Sequence, residues 1–333
     1  MPGRAVIALD GFGAEQGFGV LAEGARSAAA EGIGLRVFGP PERLGLGGVD
    51  GIEVIPTEVA IGNEEDAVSA VRAREDASVV RAAADVADGP ADALVSVGST
   101  GATMAAATFG LRRLKGVQRP ALAVRLPVPG RPVLFLDAGA NVEVRAQHLV
   151  QFAFLGAAFS EAVLAVAEPT VGLLSVGEES GKGTEAVAEA HDVLAASEGI
   201  RFLGNIEGRD VPAGAADVVV TDGFTGNVSL KLLEGTIRTL LDALREEIAA
   251  TSRGKVGGLL IRPAARSLRN RLDPDTYGGA YLLGLRGLSV IAHGNSSRRA
   301  IASAIRLAAR GVEHDVVDRL AARLPQRAAD PRV

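Results

Sequence analysis

Short apolar runs alternate along this chain with longer Ala-rich segments of helical period, and that alternation restricts the fold more than any other feature. It predicts an α/β architecture, a sheet with helices on its faces. The apolar runs predict strands at 4–10, 34–39, 52–56, 92–97, 120–126, 132–137, 170–175, 200–205, 216–220 and 288–292. The helical segments are 17–30, 64–87, 101–114, 145–166, 183–198, 227–250 and 296–310. No solenoid repeat or low-complexity linker divides the 333 residues. The expectation is one large domain over 1–323 and a frayed tail over 324–333.

Composition removes several function classes. The chain has no Cys, which excludes disulfides, thiolate metal sites and a Cys nucleophile. A net charge of −5 argues against nucleic acid as a partner, and two Tyr with no Trp leave little for base stacking. The N-terminal run Ala5–Leu9 is stopped too soon by Asp10 for a signal peptide. Residues 93–111 carry no charge over 19 positions, the length of a membrane span. The glycine turn at 98–101 interrupts them, so a buried strand, a turn and a helix are expected instead. The protein reads as soluble and cytoplasmic.

Glycine, 42 of the residues, clusters where strands end. The clusters fall at 10–13, 98–101, 137–141, 177–183, 222–227 and 293–296, each with a small polar or acidic neighbour. Ligands of open α/β sheets bind beyond strand carboxyl ends, and backbone N–H groups at glycine turns and helix starts favour anions. An anion site at one sheet edge is the expectation. Gly11-Phe12-Gly13 is not completed by a third glycine at Gln16, and the 177–184 loop is one residue short of the P-loop spacing. Nucleotide chemistry is therefore set aside, no cofactor is expected, and no His and carboxylate grouping has metal-ligand spacing.

Lysine is scarce, four against 31 Arg, so Lys182 between Gly181 and Gly183 asks for a reason; an anionic ligand would supply one. Asn227 reads equally as a helix cap or a ligand donor. His293, at the end of the last strand, is a candidate for function, whereas His148 reads as scaffold. From Leu230 an apolar helical stripe leads into 251–272, which carries six bases and no acid. Arg253, Lys255, Arg262 and Arg266 there interleave with Leu259 and Leu260, a surface suited to an acidic protein or an anionic membrane.

Five segments carry a family resemblance: 136–141, Gly177-Glu-Glu with Lys182-Gly183, 204–210, 222–227 followed by 230–235, and 277–280 with 282–285. In order and spacing they resemble the bacterial phosphate acyltransferases that make acyl phosphate from acyl–acyl carrier protein and orthophosphate for phospholipid synthesis. The resemblance spans about residues 4–310. It implies a three-layer α/β/α sandwich like that of isocitrate and isopropylmalate dehydrogenases, with a helical arm at about 229–275. It also implies a homodimer, an acyl carrier protein partner and peripheral membrane contact. The family pattern is departed from at Gly13-Ala14-Glu15, where Gly-Gly-Asp is usual, at Pro56, and at Ser99 and Thr184, where Asn is usual. Phosphate is the nucleophile of such a reaction, so the protein must hold a dianion, stabilise an oxyanion and release a thiolate. On this reading Lys182 and the Ser99–Gly101 turn hold phosphate. Asn227 donates to the oxyanion or substrate, and His293 orients phosphate or protonates the sulfur. Asp10, Thr100, Asp137, Asn141, Glu178, Asp222 and Ser296 complete the expected phosphate and acyl site. The alternatives are a phosphotransacetylase-like enzyme using short acyl-coenzyme A, and a non-catalytic scaffold for carrier protein and membrane.

Overall fold

A computed structural model describes residues 4–126, 128, 132–273, 275 and 278–324. Tyr277 of the 277–280 segment and nearly all of the 324–333 tail lie outside the described residues. The strands are β1 (Val6–Asp10), β2 (Gly34–Gly39), β3 (Ile52–Pro56), β4 (Ala93–Ser96), β5 (Ala121–Leu126), β6 (Val133–Leu136), β7 (Thr170–Leu174), β8 (Arg201–Ile206), β9 (Val218–Val220), β10 (Ala280–Leu283) and β11 (Leu288–Ile291). The helices are α1 (Phe18–Ala29), α2 (Pro41–Leu44), α3 (Ala67–Ala73), α4 (Ser78–Asp88), α5 (Thr100–Gly110), α6 (Ala146–Val163), α7 (Glu185–Ala195), α8 (Gly223–Ala249), α9 (Ser252–Leu272), α10 (Arg298–Glu313) and α11 (Val316–Arg323).

All the strands join one sheet in the order β3-β2-β1-β4-β11-β10-β5-β6-β9-β7-β8. One apolar cluster joins α1, α6, α7, α10 and α11 to one face of the sheet. A second joins α3, α4, α5 and the start of α8 to the other. The expected α/β fold is therefore present, a large mixed sheet flanked by helices. The uncharged stretch at 93–111 is β4, a turn and α5. Among the described residues no helix is long and apolar enough to cross a membrane.

Sheet polarity departs from the expectation of glycine loops at one edge. β10 pairs antiparallel with both β11 and β5, and β5 pairs antiparallel with β6. The strands β1, β2, β3, β4, β11 and β5 thus run one way, and β10, β6, β9, β7 and β8 the other. The loops at 10–13, 98–101 and 293–296 consequently lie at one edge, and those at 137–141, 177–183 and 222–227 at the opposite edge. β10 is the strand absent from the sequence reading. It is four residues long and bounded by Gly279 and Gly284, so only its pairing with two neighbours reveals it.

Helix boundaries shift for local reasons. The segment read as one helix over 64–87 is two, because Val59 and Ala77 form a β-bridge and the Ser78 N–H donates to the Val59 carbonyl. α8 starts at Gly223, capped by Asp222, whose carboxylate accepts the Thr225 N–H at 2.8 Å. The basic stretch at 251–272 is itself helical. Thr251 caps α9, and α9 packs against α8 as a hairpin with no buried residue of its own.

Candidate active site

Two buried carboxylates anchor the loops that build the site, one in each half of the sheet. In the first half, Asp10 ends β1 and accepts the Ser78 hydroxyl at 2.6 Å, the Ser96 hydroxyl at 2.8 Å and the Phe12 N–H at 3.2 Å. Ser96 Oγ in turn accepts the Gly98 N–H at 3.1 Å and the Thr103 hydroxyl at 2.9 Å. This chain of bonds ties β1 to the turn that opens α5. Ser99 caps that helix by accepting the Ala102 N–H, which leaves the Thr100 and Gly101 N–H groups without an intrahelical partner. A side chain at Gly13 would overlap the Gly98 backbone, so glycine lets the two loops touch. Burial pushes the Asp10 carboxyl above its ordinary range, against the hydrogen bonds from Ser78, Ser96 and Phe12.

In the second half, Asp137 follows β6. One oxygen accepts the N–H groups of Leu122, Gly139 and Ala140, and the other accepts the N–H and side-chain amide of Asn141. The Asn141 carbonyl then takes the Gly223 N–H at 2.7 Å, fastening the start of α8. Gly226 is obligatory there, since a Cβ would strike the Asp137 carbonyl. Burial likewise pushes the Asp137 carboxyl upward, opposed by its donors at Ala140, Asn141 and Leu122.

Between these anchors lies a cleft of about 470 Å³ over one face of β5 and β10. Thr100, Gly101, His293 and Ser296 reach it from one sheet edge, and Gly139, Ala140, Asn227 and Lys231 from the other. Met104, Leu122, Val124, Leu230 and Ile291 give it an apolar floor. One wall is thus rich in hydrogen-bond donors and the floor is apolar, an arrangement that suits an anion beside a hydrocarbon-bearing group.

The residues singled out from sequence divide into three groups. Thr100, Gly101, Asn227, His293 and Ser296 line the cleft. Asp10, Ser99, Asp137, Asn141 and Asp222 stand behind it, with carboxylates and amides engaged in the anchors and caps described above. Asn227 falls in the second turn of α8 and does not cap it, which frees its amide for a ligand. Lys182 and Glu178 lie on the exposed loop after β7, outside the residues that line the cleft; Glu178 faces Arg209 at 3.5 Å. Arg253, Lys255, Leu259, Leu260, Arg262 and Arg266 are exposed along α9. His148 is buried, and its Nδ1 accepts the Arg145 N–H, as befits scaffold. Sequence reasoning missed Lys231. Its signal was available, because lysine is as rare there as at 182 and it sits one helical turn beyond Asn227. Met104 and Asp275, also in the cleft, carried no such signal.

Over residues 5–319 the chain matches the family model described as fatty acid synthesis protein. It is 40% identical over 325 residues to a phosphate acyltransferase of Nostoc punctiforme, covering 95% of this chain and 96% of that one. This chain belongs to the phosphate acyltransferase family. It is accordingly an acyltransferase. The phosphate acyltransferase of Heliobacterium modesticaldum is also 40% identical, over 96% of this chain and 97% of that one. Among solved structures, a phosphotransacetylase from Streptococcus pyogenes shares the fold at a TM-score of 0.61 and 18% identity, covering 93% of this chain and 94% of that one. A 4-hydroxythreonine-4-phosphate dehydrogenase from Klebsiella pneumoniae does so at 0.54 and 15% identity, over 91% and 98%.

Within the phosphate acyltransferase family, two departures have a common physical reading. Ser99 and Thr184 are each a helix N-cap, Thr184 accepting the Val187 N–H. Ser, Thr and Asn are near-equivalent caps. Pro56 ends the edge strand β3, away from the cleft. Glu15 packs against Gly294 beside His293, its N–H donating to the Gly294 carbonyl at 2.8 Å.

Proposed function

We propose that the cleft transfers a long-chain acyl group from the thioester of acyl carrier protein to orthophosphate, yielding acyl phosphate for phospholipid synthesis. The observation that carries this reading is the convergence of α5's free N–H groups, Asn227, Lys231 and His293 above an apolar floor. Orthophosphate sits at the α5 turn, and one of its oxygens attacks the thioester carbonyl carbon. The C–O bond forms, the carbonyl becomes an oxyanion facing the Asn227 amide, and the C–S bond breaks as the carbonyl reforms. His293 gives a proton to the departing sulfur. Lys182 draws phosphate toward the cleft from the loop after β7; it lies outside the cleft lining, and no carboxylate pairs with it among the described residues.

The finer readings of the architecture belong to the same proposal. Residues 1–323 form one domain, since a single sheet runs through both halves, and the reversal of strand direction at its centre fits the isocitrate and isopropylmalate dehydrogenase-like sandwich. The arm leaves apolar side chains uncovered. Near its root, Phe224, Val228 and Leu232 meet a second copy in a homodimer. Near its tip, Leu259 and Leu260 with Arg253, Lys255, Arg262 and Arg266 rest on the cytoplasmic membrane surface.

Steady-state kinetics with acyl carrier protein thioester test the roles. Asn227→Ala lowers kcat by about 100-fold, the usual loss for one oxyanion donor, with the phosphate KM little changed. Lys182→Ala raises the phosphate KM. An unchanged kcat for the first variant removes Asn227 from the transition state, and unchanged phosphate kinetics for the second remove Lys182 from the site.

A further inference from the structure

Between Asp92 and Asp137 the chain contains no acidic residue, yet it carries six bases. Four of them, Arg112, Arg113, Lys115 and Arg119, fall on the loop from α5 to β5 and are exposed. Arg286 joins them from the β10–β11 turn, which is pinned to this loop. Its backbone N–H donates to the Arg112 carbonyl at 2.9 Å, and its Nε donates to the Arg113 carbonyl at 3.1 Å. Buried Leu114 and Val117 root the loop beneath. The result is a rigid basic pad.

Its charge is uncompensated. Elsewhere arginines face carboxylates, as in Arg36 with Asp85, Arg306 with Glu31 and Arg298 with Glu23. On the pad, Arg113 and Arg119 donate only to the backbone carbonyls of Gln118 and Glu143, and no carboxylate pairs with any of the five bases among the described residues. The pad also differs from the arm: its large exposed apolar side chain is Phe109, and the Arg72 guanidinium covers that ring at 4.8 Å. A surface of fixed cations with little free hydrocarbon suits a folded acidic protein better than lipid.

The pad is continuous with the cleft by two routes. Along α5, Thr100 and Met104 line the cleft, and Thr108, the next residue of that stripe, borders the groove beside Arg112 and Arg119. From Thr100 to the position of Arg112 is about 18 Å at the helical rise, a distance that a flexible thioester-bearing arm spans. Behind it, the Pro120 carbonyl accepts the Asn141 side chain at 2.8 Å, and the same loop brings Gly139 against Asn227.

We infer that the pad is the docking surface for the acidic carrier protein that delivers the acyl thioester, its arm running along the α5 stripe into the cleft. The inference rests on the proposed carrier-linked substrate. The test compares kcat/KM for long-chain acyl carrier protein with that for an uncharged octanoyl N-acetylcysteamine thioester, in wild type and in Arg112→Glu/Arg119→Glu. The double variant loses about tenfold or more in kcat/KM for the carrier-linked donor, its dependence on salt flattens, and the truncated donor reacts at the wild-type rate. An unchanged carrier kcat/KM overturns the docking role. Equal losses on both donors also overturn it, by marking the pad as structural. A wild type that consumes the truncated donor but never the carrier-linked one fails the underlying substrate reading instead, so the two failures are distinguishable.

Discussion

Asp10 looks from sequence like a ligand-facing acid, but it acts one layer further back. All its hydrogen bonds go to Ser78, Ser96 and Phe12, and Ser96 passes the constraint to Gly98 and Thr103 at the mouth of α5. Its folded pKa lies above the ordinary carboxylate value because burial outweighs those bonds. The unfolded chain therefore releases this proton first as pH rises. The group's contribution to stability is greatest below the ordinary value and is lost as pH climbs through the raised one. Asp10→Asn cannot ionise, and that pH dependence disappears from denaturant unfolding measured from acid to neutral pH. The variant also leaves the Ser96 hydroxyl without an acceptor, so the phosphate KM rises while the acyl-donor KM holds. An identical pH profile for variant and wild type would falsify the assignment. At this scale the sequence was informative about which residues matter and silent about which side of the loop they face. Asp10, Asp137 and Asp222 share a motif-like setting with Thr100 and Asn227, yet only the latter two face the cleft.

At the scale of elements, α5 and α8 do most of the positioning. Each begins at a turn fastened by a buried Asp, and each offers its first or second turn to the same cleft. Periodicity located both helices, but not the start of α8. The Gly223–Gly226 segment reads as loop until Asp222 is recognised as the cap. The same limit hid the break between α3 and α4, where a β-bridge to Val59 overrides a continuous helical pattern. The arm is the other informative element, because α9 buries nothing. Leu259 and Leu260 are 66% and 79% exposed, so replacing both with Asp leaves thermal unfolding unchanged. The same variant loses binding to vesicles containing phosphatidylglycerol, which in wild type weakens as salt rises. Vesicle binding at wild-type strength by the variant would take the tip out of membrane contact.

Across the whole molecule, the alternation of apolar runs and Ala-rich helices located all but one of the strands and the long helices on both faces, but not the short α2 and α11. The reversal of direction at β10 and β5 was not legible, since a four-residue strand between glycines leaves no periodic signal. That reversal decides where the site is. With every strand parallel, the six glycine loops would crowd one edge; with the halves opposed, the loops at 98–101 and 293–296 reach the cleft from one side and those at 137–141 and 222–227 from the other, so the cleft lies across the sheet's centre. The resulting cleft joins a wall rich in hydrogen-bond donors to an apolar floor, and the family membership makes acyl transfer to phosphate the chain's chemistry. The most direct measurement is a time course with long-chain acyl carrier protein and radiolabelled orthophosphate that follows acyl phosphate and free carrier thiol together. Equal amounts of both are expected, appearing only when orthophosphate is present. Thiol released without labelled acyl phosphate, or carrier bound with its thioester intact, would contradict it.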